Sequence, residues 1–288
     1  MQKRDLFSLC VFYAISPIHA GAGSSLAAVD LPIQRERHTN WPHVQASAVK
    51  GAMRAHYRDF AENTSLINYL FGSDEQDGWK EKENIPGAVS VSDAKLLAFP
   101  VRSSVAPFVW VTCPAVLARL NNDLSFAGME GIAQEPPPVA EEEAFCLAGK
   151  FPEEVLLEDM VVTVKQTIPN PLPAAFPVLS KLDKFLRLSN DAFKYLVESC
   201  TEIQTQIKIN SETGTAQDHA LRYQELLPAD SVLYSVVYYS RAVFDNTLQA
   251  DTVRGHVEDV IKNFIQIGGD ETLGRGICRI TWLQGGVK

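Results

Sequence analysis

Leu6-Phe7-Ser8-Leu9-Cys10-Val11-Phe12-Tyr13-Ala14-Ile15 is a run dense in apolar and β-favouring side chains near the start of the chain. Read as a buried strand, it puts the N-terminal segment at the centre of a sheet. Read as the apolar part of a secretory leader, it follows Lys3 and Arg4, precedes the small residues Ala20–Gly23, and drops out of the fold. Asp5 inside the charged region, and Pro17 and His19 before any cleavage site, favour the strand and with it a cytoplasmic protein. Pro17 then ends the strand.

Working outward, His19–Pro42 is rich in Gly, Pro and charge and reads as one long loop. A loop of that length in a compact domain usually carries function. Ser47 reads as the N-cap of a helix reaching Phe60, with Lys50 and Arg54 four apart on one face. Asn63–Ile85 is a polar helical and loop insertion. Ala88–Val101 and Val105–Thr112 read as strands joined by Arg102–Ser104, and Pro114 opens a helix to Leu124. Gln134–Glu143, with three prolines beside a Glu triplet, is a surface linker. Val155–Thr167 is a strand or hairpin arm, and Ala175–Ser199 is predicted mostly helical. Glu202–Ile209, Leu221–Leu227 and Ser231–Tyr239 read as strands. Gln249–Asn263 is a helix, Gly268–Gly276 a glycine loop, and Ile277–Leu283 a closing strand. This order suits an α+β domain on an antiparallel sheet, with the middle of the chain forming insertions.

Hydrophobic residues make up 46% of the 288 and charged residues 21%, which excludes wholesale disorder. The formal charge of −9 argues against a uniformly basic nucleic-acid binder. The acids are segregated, however, into Asp74–Glu83 and Glu141–Asp159, while between Leu31 and Arg54 four basic residues face only Glu36. A local basic surface on an acidic body fits that pattern. The five cysteines are scattered, without a C-x-x-C pair, so neither zinc nor a disulfide framework is expected. No apolar run reaches the roughly 20 residues of a membrane span.

Three stretches and two single residues can carry chemistry. Val29-Asp30-Leu31-Pro32-Ile33-Gln34-Arg35-Glu36-Arg37-His38-Thr39 sets one carboxylate before a basic run. It is either a solvated loop whose Asp caps a turn, or an acid beside a phosphodiester held by Arg35 and Arg37. His19 is either structural or a general acid or base. Gln45-Ala46-Ser47-Ala48-Val49-Lys50-Gly51 is either an ordinary capped helix or a phosphate-binding N-terminus. Gly268-Gly269-Asp270-Glu271-Thr272-Leu273-Gly274-Arg275-Gly276 is neither a P-loop nor a dinucleotide fingerprint, leaving a tight turn or RNA contact. Tyr223 either packs or stacks on a base.

Together, His19–Arg54, Ser92–Ser103 with Val111–Pro114, Leu221–Pro228 and Gly268–Gly276 resemble, in this order, the backbone subunit of the type III-B CRISPR effector, the Cmr complex, within the RAMP superfamily. The resemblance implies an RRM-like (ferredoxin-like) palm at about 1–60, 88–130 and 229–288. It also implies helical fingers at about 61–87 and a protruding β thumb with a helical insertion at about 150–228. It implies an endoribonuclease whose slicing acid is Asp30, supported by His19, Asp93 and Glu225. RNA contacts fall on Arg35, Arg37, Gln45, Ser47, Lys50, Arg54, Arg102, Tyr223, Gly268, Gly269, Gly274, Arg275 and Gly276. The implied cofactor is a divalent metal, Mg2+ or Mn2+, on Asp30, bound with RNA in place. The implied partners are guide RNA (crRNA), target RNA, copies of the chain in a helical filament, a large polymerase-like subunit, a small helical subunit and other RAMP subunits. The alternative is a purely structural guide-binding subunit. Arg222 and Gln224 depart from the aromatic and acids that the family tends to place around the thumb motif, which bears on the role of Glu225.

Overall fold

The computed structural model describes residues 5–81, 83–132, 137–170, 172, 182–217, 220–243 and 247–287. In chain order the strands are β1 (Leu6–Ala14), β2 (His43–Val44), β3 (Val89–Val91), β4 (Ala94–Arg102), β5 (Phe108–Thr112), β6 (Glu143–Ala148) and β7 (Glu154–Leu157). They continue with β8 (Met160–Thr167), β9 (Phe185–Leu188), β10 (Glu202–Gln206), β11 (Arg222–Leu226), β12 (Val232–Tyr239), β13 (Phe264–Gln266) and β14 (Ile277–Val287). The helices are α1 (Ala46–Phe60), α2 (Ile67–Phe71), α3 (Pro114–Phe126), α4 (Asn190–Ser199) and α5 (Ala250–Val260).

The apolar run that opens the sequence is β1, and it is central. It pairs antiparallel with β12 on one side and β14 on the other, and it is buried on both faces, with α5 over Ser8 and α3 over Phe7. β4 follows beyond β12, also antiparallel, giving the spatial order β14-β1-β12-β4. In the chain, α1 lies between β1 and β4, and α5 between β12 and β14. Each helix buries one apolar stripe, Val49, Met53 and Tyr57 on α1 and Val253 and Val257 on α5. On α5 the buried Glu258 carboxyl accepts from Ser8 Oγ (2.6 Å), Tyr239 OH (3.1 Å) and Gln284 Nε2 (2.8 Å), so both of its oxygens are hydrogen-bonded. α3 covers the opposite face, where Phe7 meets Phe126 edge-on at 5.1 Å and Asp123 accepts from Lys95 and Tyr234.

Beyond β4 the sheet continues β5-β9-β6-β8-β7. β7 then returns to the end of β4: Glu158 N–H donates to Arg102 O (2.9 Å) and Ser104 N–H to Leu156 O (3.1 Å). This half of the sheet therefore curls back on itself, which leaves its last strand covered. Two pairs here, β5 with β9 and β6 with β8, are parallel, so the sheet is mixed where an antiparallel one was expected.

The predicted helix over Ala175–Ser199 is corrected in part. Residues 175–181 lie outside the described residues, Phe185–Leu188 is strand β9, and only Asn190–Ser199 is helical. Phe-Leu-Arg-Leu is buried at every position, and such a run carries no period by which to tell strand from helix. β6 begins at the end of the expected linker and was hidden by its Glu triplet. Among the described residues no helix is long and apolar enough to cross a membrane.

Phe12 is fully buried in the middle of β1. Phe12→Ala should lower unfolding stability by about 3–5 kcal/mol in denaturant titrations, as expected for truncating a buried aromatic. A loss under about 1 kcal/mol would mean that β1 does not hold the sheet together.

Candidate RNA-cleavage site

The long loop is not free. Residues 31–33 run beside β11 as a short parallel pairing: Leu31 N–H donates to Tyr223 O (3.0 Å) and Glu225 N–H to Leu31 O (3.0 Å). One residue upstream, Asp30 Oδ2 accepts from the Tyr223 N–H at 2.7 Å. The carboxylate is half-exposed, and its other oxygen accepts no hydrogen bond from the described residues.

Glu225 organises the surroundings. Its side chain is buried, and Oε1 accepts from Arg35 Nη2 (2.6 Å) and Thr201 Oγ1 (2.8 Å), while Oε2 accepts from the Ile33 N–H (3.0 Å). Its backbone carbonyl lies 3.0 Å from His19 Nδ1. A carbonyl can only accept, so Nδ1 carries a hydrogen there and Nε2 is left for other contacts. Arg35 also donates to Asn40 O and Val197 O, so its guanidinium is used inside the chain. Glu36 is held in turn by a two-point contact from Arg119 of α3 (2.5 and 2.9 Å), which lies 5.1 Å over the Trp41 ring. Consecutive loop residues are thus tied to β11 on one side and to α3 on the other.

The glycine loop packs on the same segment. Gly269 N–H donates to His19 O and Gly276 N–H to Pro17 O, both at 2.9 Å or less. A Cβ on Gly268 would stand 2.6 Å from His19 O, and one on Gly276 1.8 Å from Ile267 O, so these glycines are required by close backbone approach. Gly274 is left-handed (φ 71°) with open space around it. Arg275 donates to Gln204 of β10, and Asp270 accepts from Gln224 of β11.

The start of α1 differs from expectation. Gln45, not Ser47, is the N-cap, and the helix begins at Ala46. Asp93, just ahead of β4 where β2 pairs with it, supplies the missing cap, accepting from the Ala46 N–H at 2.7 Å. Ser47 and Gln45 are exposed. Lys50 is half-buried, and burial together with Arg54 pulls its ammonium below the usual lysine range. Gln34 links this end to the loop, accepting from Gln45 N–H (2.9 Å) and donating to Gly21 O (3.1 Å). A cleft of about 540 Å³ opens between His19–Gly21, the small residues Ala48, Gly51 and Ala52 of α1, and Gly268–Gly269.

Other expected residues lie elsewhere. Arg54 bonds Asp77, Gly72 O and Asn68, and so braces the 63–85 insertion. Arg102 pairs with Glu158 (2.9 Å) where β7 returns to β4. Arg37 and Tyr223 are exposed. Gln34 in the long loop, Asp270 in the glycine loop, and Thr201 have no role readable from the sequence, because lone polar residues in loops carry no spacing signal. Among the described residues no three His, Cys, Asp or Glu side chains converge to hold a metal ion. Asp30 alone cannot cage a six-coordinate divalent cation.

A model of the RAMP superfamily matches residues 11–279. The chain belongs to the RAMP superfamily. It is similar to the CRISPR system Cmr endoribonuclease Cmr4 of Pyrococcus furiosus, 31% identical over 285 residues that cover 93% of each chain. It is also similar to the CMR subunit Cmr4 of Saccharolobus solfataricus, 24% identical and covering 94% of each. Its fold matches the crystal structure of oligomeric Cmr4 from Pyrococcus furiosus with a TM-score of 0.71 at 26% identity, over 98% of this chain and 99% of that one. It also matches a chain of the Type III-B Cmr-beta complex bound to cognate target RNA, with a TM-score of 0.76 at 20% identity and 96% of each chain covered, a likeness of fold.

The Glu36 carboxyl in this RAMP chain lies below the usual glutamate range. Burial alone would raise it, and hydrogen bonds from Arg119 and Thr39 outweigh burial. A depressed folded-state value means stability that is present above the ordinary glutamate pKa of about 4.3 and lost as pH falls through the lower folded value. Unfolding midpoints between about pH 6 and 3 should therefore fall less steeply in Arg119→Met than in the parent chain. Equal acid limbs would remove the Glu36–Arg119 contact from the stability of the loop.

Proposed function

We propose that this chain is the guide-RNA-binding, repeating backbone subunit of a type III-B CRISPR effector, working in the cytoplasm, and that it cuts bound target RNA with Asp30. The observation that carries the proposal is the seating of Asp30. It is the half-exposed carboxylate that β11 holds by one oxygen, beside an exposed Tyr223 ring and two residues along the strand from the Glu225 carbonyl that fixes His19. The Pyrococcus furiosus relative named as an endoribonuclease supports the same reading.

In this reading β14-β1-β12-β4 with α1 and α5 forms the RRM-like palm, at about 1–60, 88–130 and 229–288, and the 61–87 insertion forms the fingers. The 150–228 region, ending in the β10–β11 hairpin, is the thumb and its helical insertion. Because α3 covers the sheet face opposite α1 and α5, RNA runs along the loop and the start of α1 instead of over bare sheet. Gln45, Ser47, Lys50 and Arg37 face it there, and Tyr223 stacks on a base. Arg35, Arg54, Asp93 and Glu225 serve by holding the loop and α1 in place.

The cut joins the target's 2′-oxygen to the adjacent phosphorus and breaks the bond to the 5′-oxygen, leaving a cyclic phosphate. Asp30 takes the 2′ proton as the 2′-oxygen bonds to phosphorus, and the departing 5′-oxygen gains a proton from His19 Nε2 or from water. A divalent cation, Mg2+ or Mn2+, would neutralise phosphate charge; Asp30 would give it one oxygen, and RNA and water the rest. The partners are guide and target RNA, further copies of the chain in a helical filament, the polymerase-like and small helical subunits and other RAMP subunits.

In the assembled complex, Asp30→Ala should leave guide and target binding unchanged and reduce cutting of bound target by at least about 100-fold, the lower end of the range for acid–base groups. Undiminished cutting would sink the assignment and leave a structural backbone subunit.

A further inference from the structure

Thr112 on β5, Arg187 on β9 and Phe145 on β6 are register partners, so their side chains leave one face of the sheet in a row. Arg187 is fully buried. Its guanidinium lies 5.0 Å over the Phe145 ring, and Nη2 donates to the Pro137 carbonyl. Nε and Nη1 are buried without a hydrogen-bond partner, and so is the neighbouring Thr112 Oγ1.

No carboxylate among the described residues pairs with this guanidinium. The titratable group that acts on it is the Cys113 thiol, which burial pushes up to about 12 and keeps neutral. A buried cation without a counter-charge is strongly unfavourable, and trapped water would satisfy its N–H groups without neutralising it. Elsewhere this fold pairs its half-buried guanidinium groups: Arg35 with Glu225, Arg54 with Asp77, Arg119 with Glu36. Arg187 stands apart from that pattern, next to an orphaned hydroxyl.

We infer that Arg187 and Thr112 form an internal anion site that takes a compact oxyanion of the phosphate class. The free N–H donors on Nε and Nη1 and the Thr112 hydroxyl supply hydrogen bonds, and the guanidinium supplies the charge. An anion reaches them by displacing Pro137 and Pro138, exposed linker residues of which the first now holds Nη2 through its carbonyl. The site is separate from Asp30, and its success or failure leaves the slicer assignment untouched.

Thermal unfolding of the full chain at matched ionic strength tests it, comparing chloride, inorganic phosphate and a short RNA. Phosphate well above its dissociation constant should raise the parent midpoint by roughly 3 °C or more. Arg187→Met should lose that rise, and Thr112→Val, which keeps the fold's shape, should need more phosphate to reach it. RNA protection that Arg187→Met abolishes supports the same site with a phosphodiester as the source. Equal shifts in the parent and both variants mean a general salt effect and overturn the site, as does protection by neither phosphate nor RNA.

Discussion

One carboxylate, Glu225, holds the functional end of this molecule together. It receives Arg35, Thr201 and the Ile33 amide on its side chain, and its carbonyl fixes the His19 ring. Three segments distant in sequence therefore meet at one residue of β11. The pairing that follows, Leu31 against Tyr223 and Glu225, sets where Asp30 stands. Removing either partner of a buried ion pair is costlier than never having built it, so the loop is bound to the hairpin as a unit. Motion of the hairpin and position of Asp30 are for that reason one degree of freedom.

The same geometry reconciles the proposed RNA binding with a net charge of −9. Much of the basic run is used internally: Arg35 and Arg54 are ion-paired, and Lys50 is half-buried. What remains outward at the loop and the start of α1 is a small set, Arg37, Gln45 and Ser47. RNA held by so few groups on one chain needs many chains along it, which agrees with a repeating subunit better than with a stand-alone nuclease.

Much of the fold could be read from the sequence because its decisive elements carry period or punctuation. The β1 run, Pro114 at the first turn of α3, the alternation in β10 and the glycine loop all lie where the residues suggest. Strands β6 and β9 were lost because one hides behind a Glu triplet and the other is buried at every position. The candidate site was legible as a list of residues and not as an arrangement. Sequence spacing cannot tell that Asp93, in the link between β3 and β4, caps α1, or that Arg54 braces the insertion. Only tertiary contact distinguishes a residue that touches RNA from one that holds its neighbour.

The direct test is single-turnover cutting of bound target RNA, followed across pH, by complexes carrying Glu225→Gln. The amide keeps the size of the side chain but sets a donor against Arg35 or Ile33. If Glu225 positions Asp30, cutting slows while target binding and the shape of the pH profile stay as in the parent. Full-rate cutting, or a pH profile that loses a limb, would contradict a positioning carboxylate at the centre of this site.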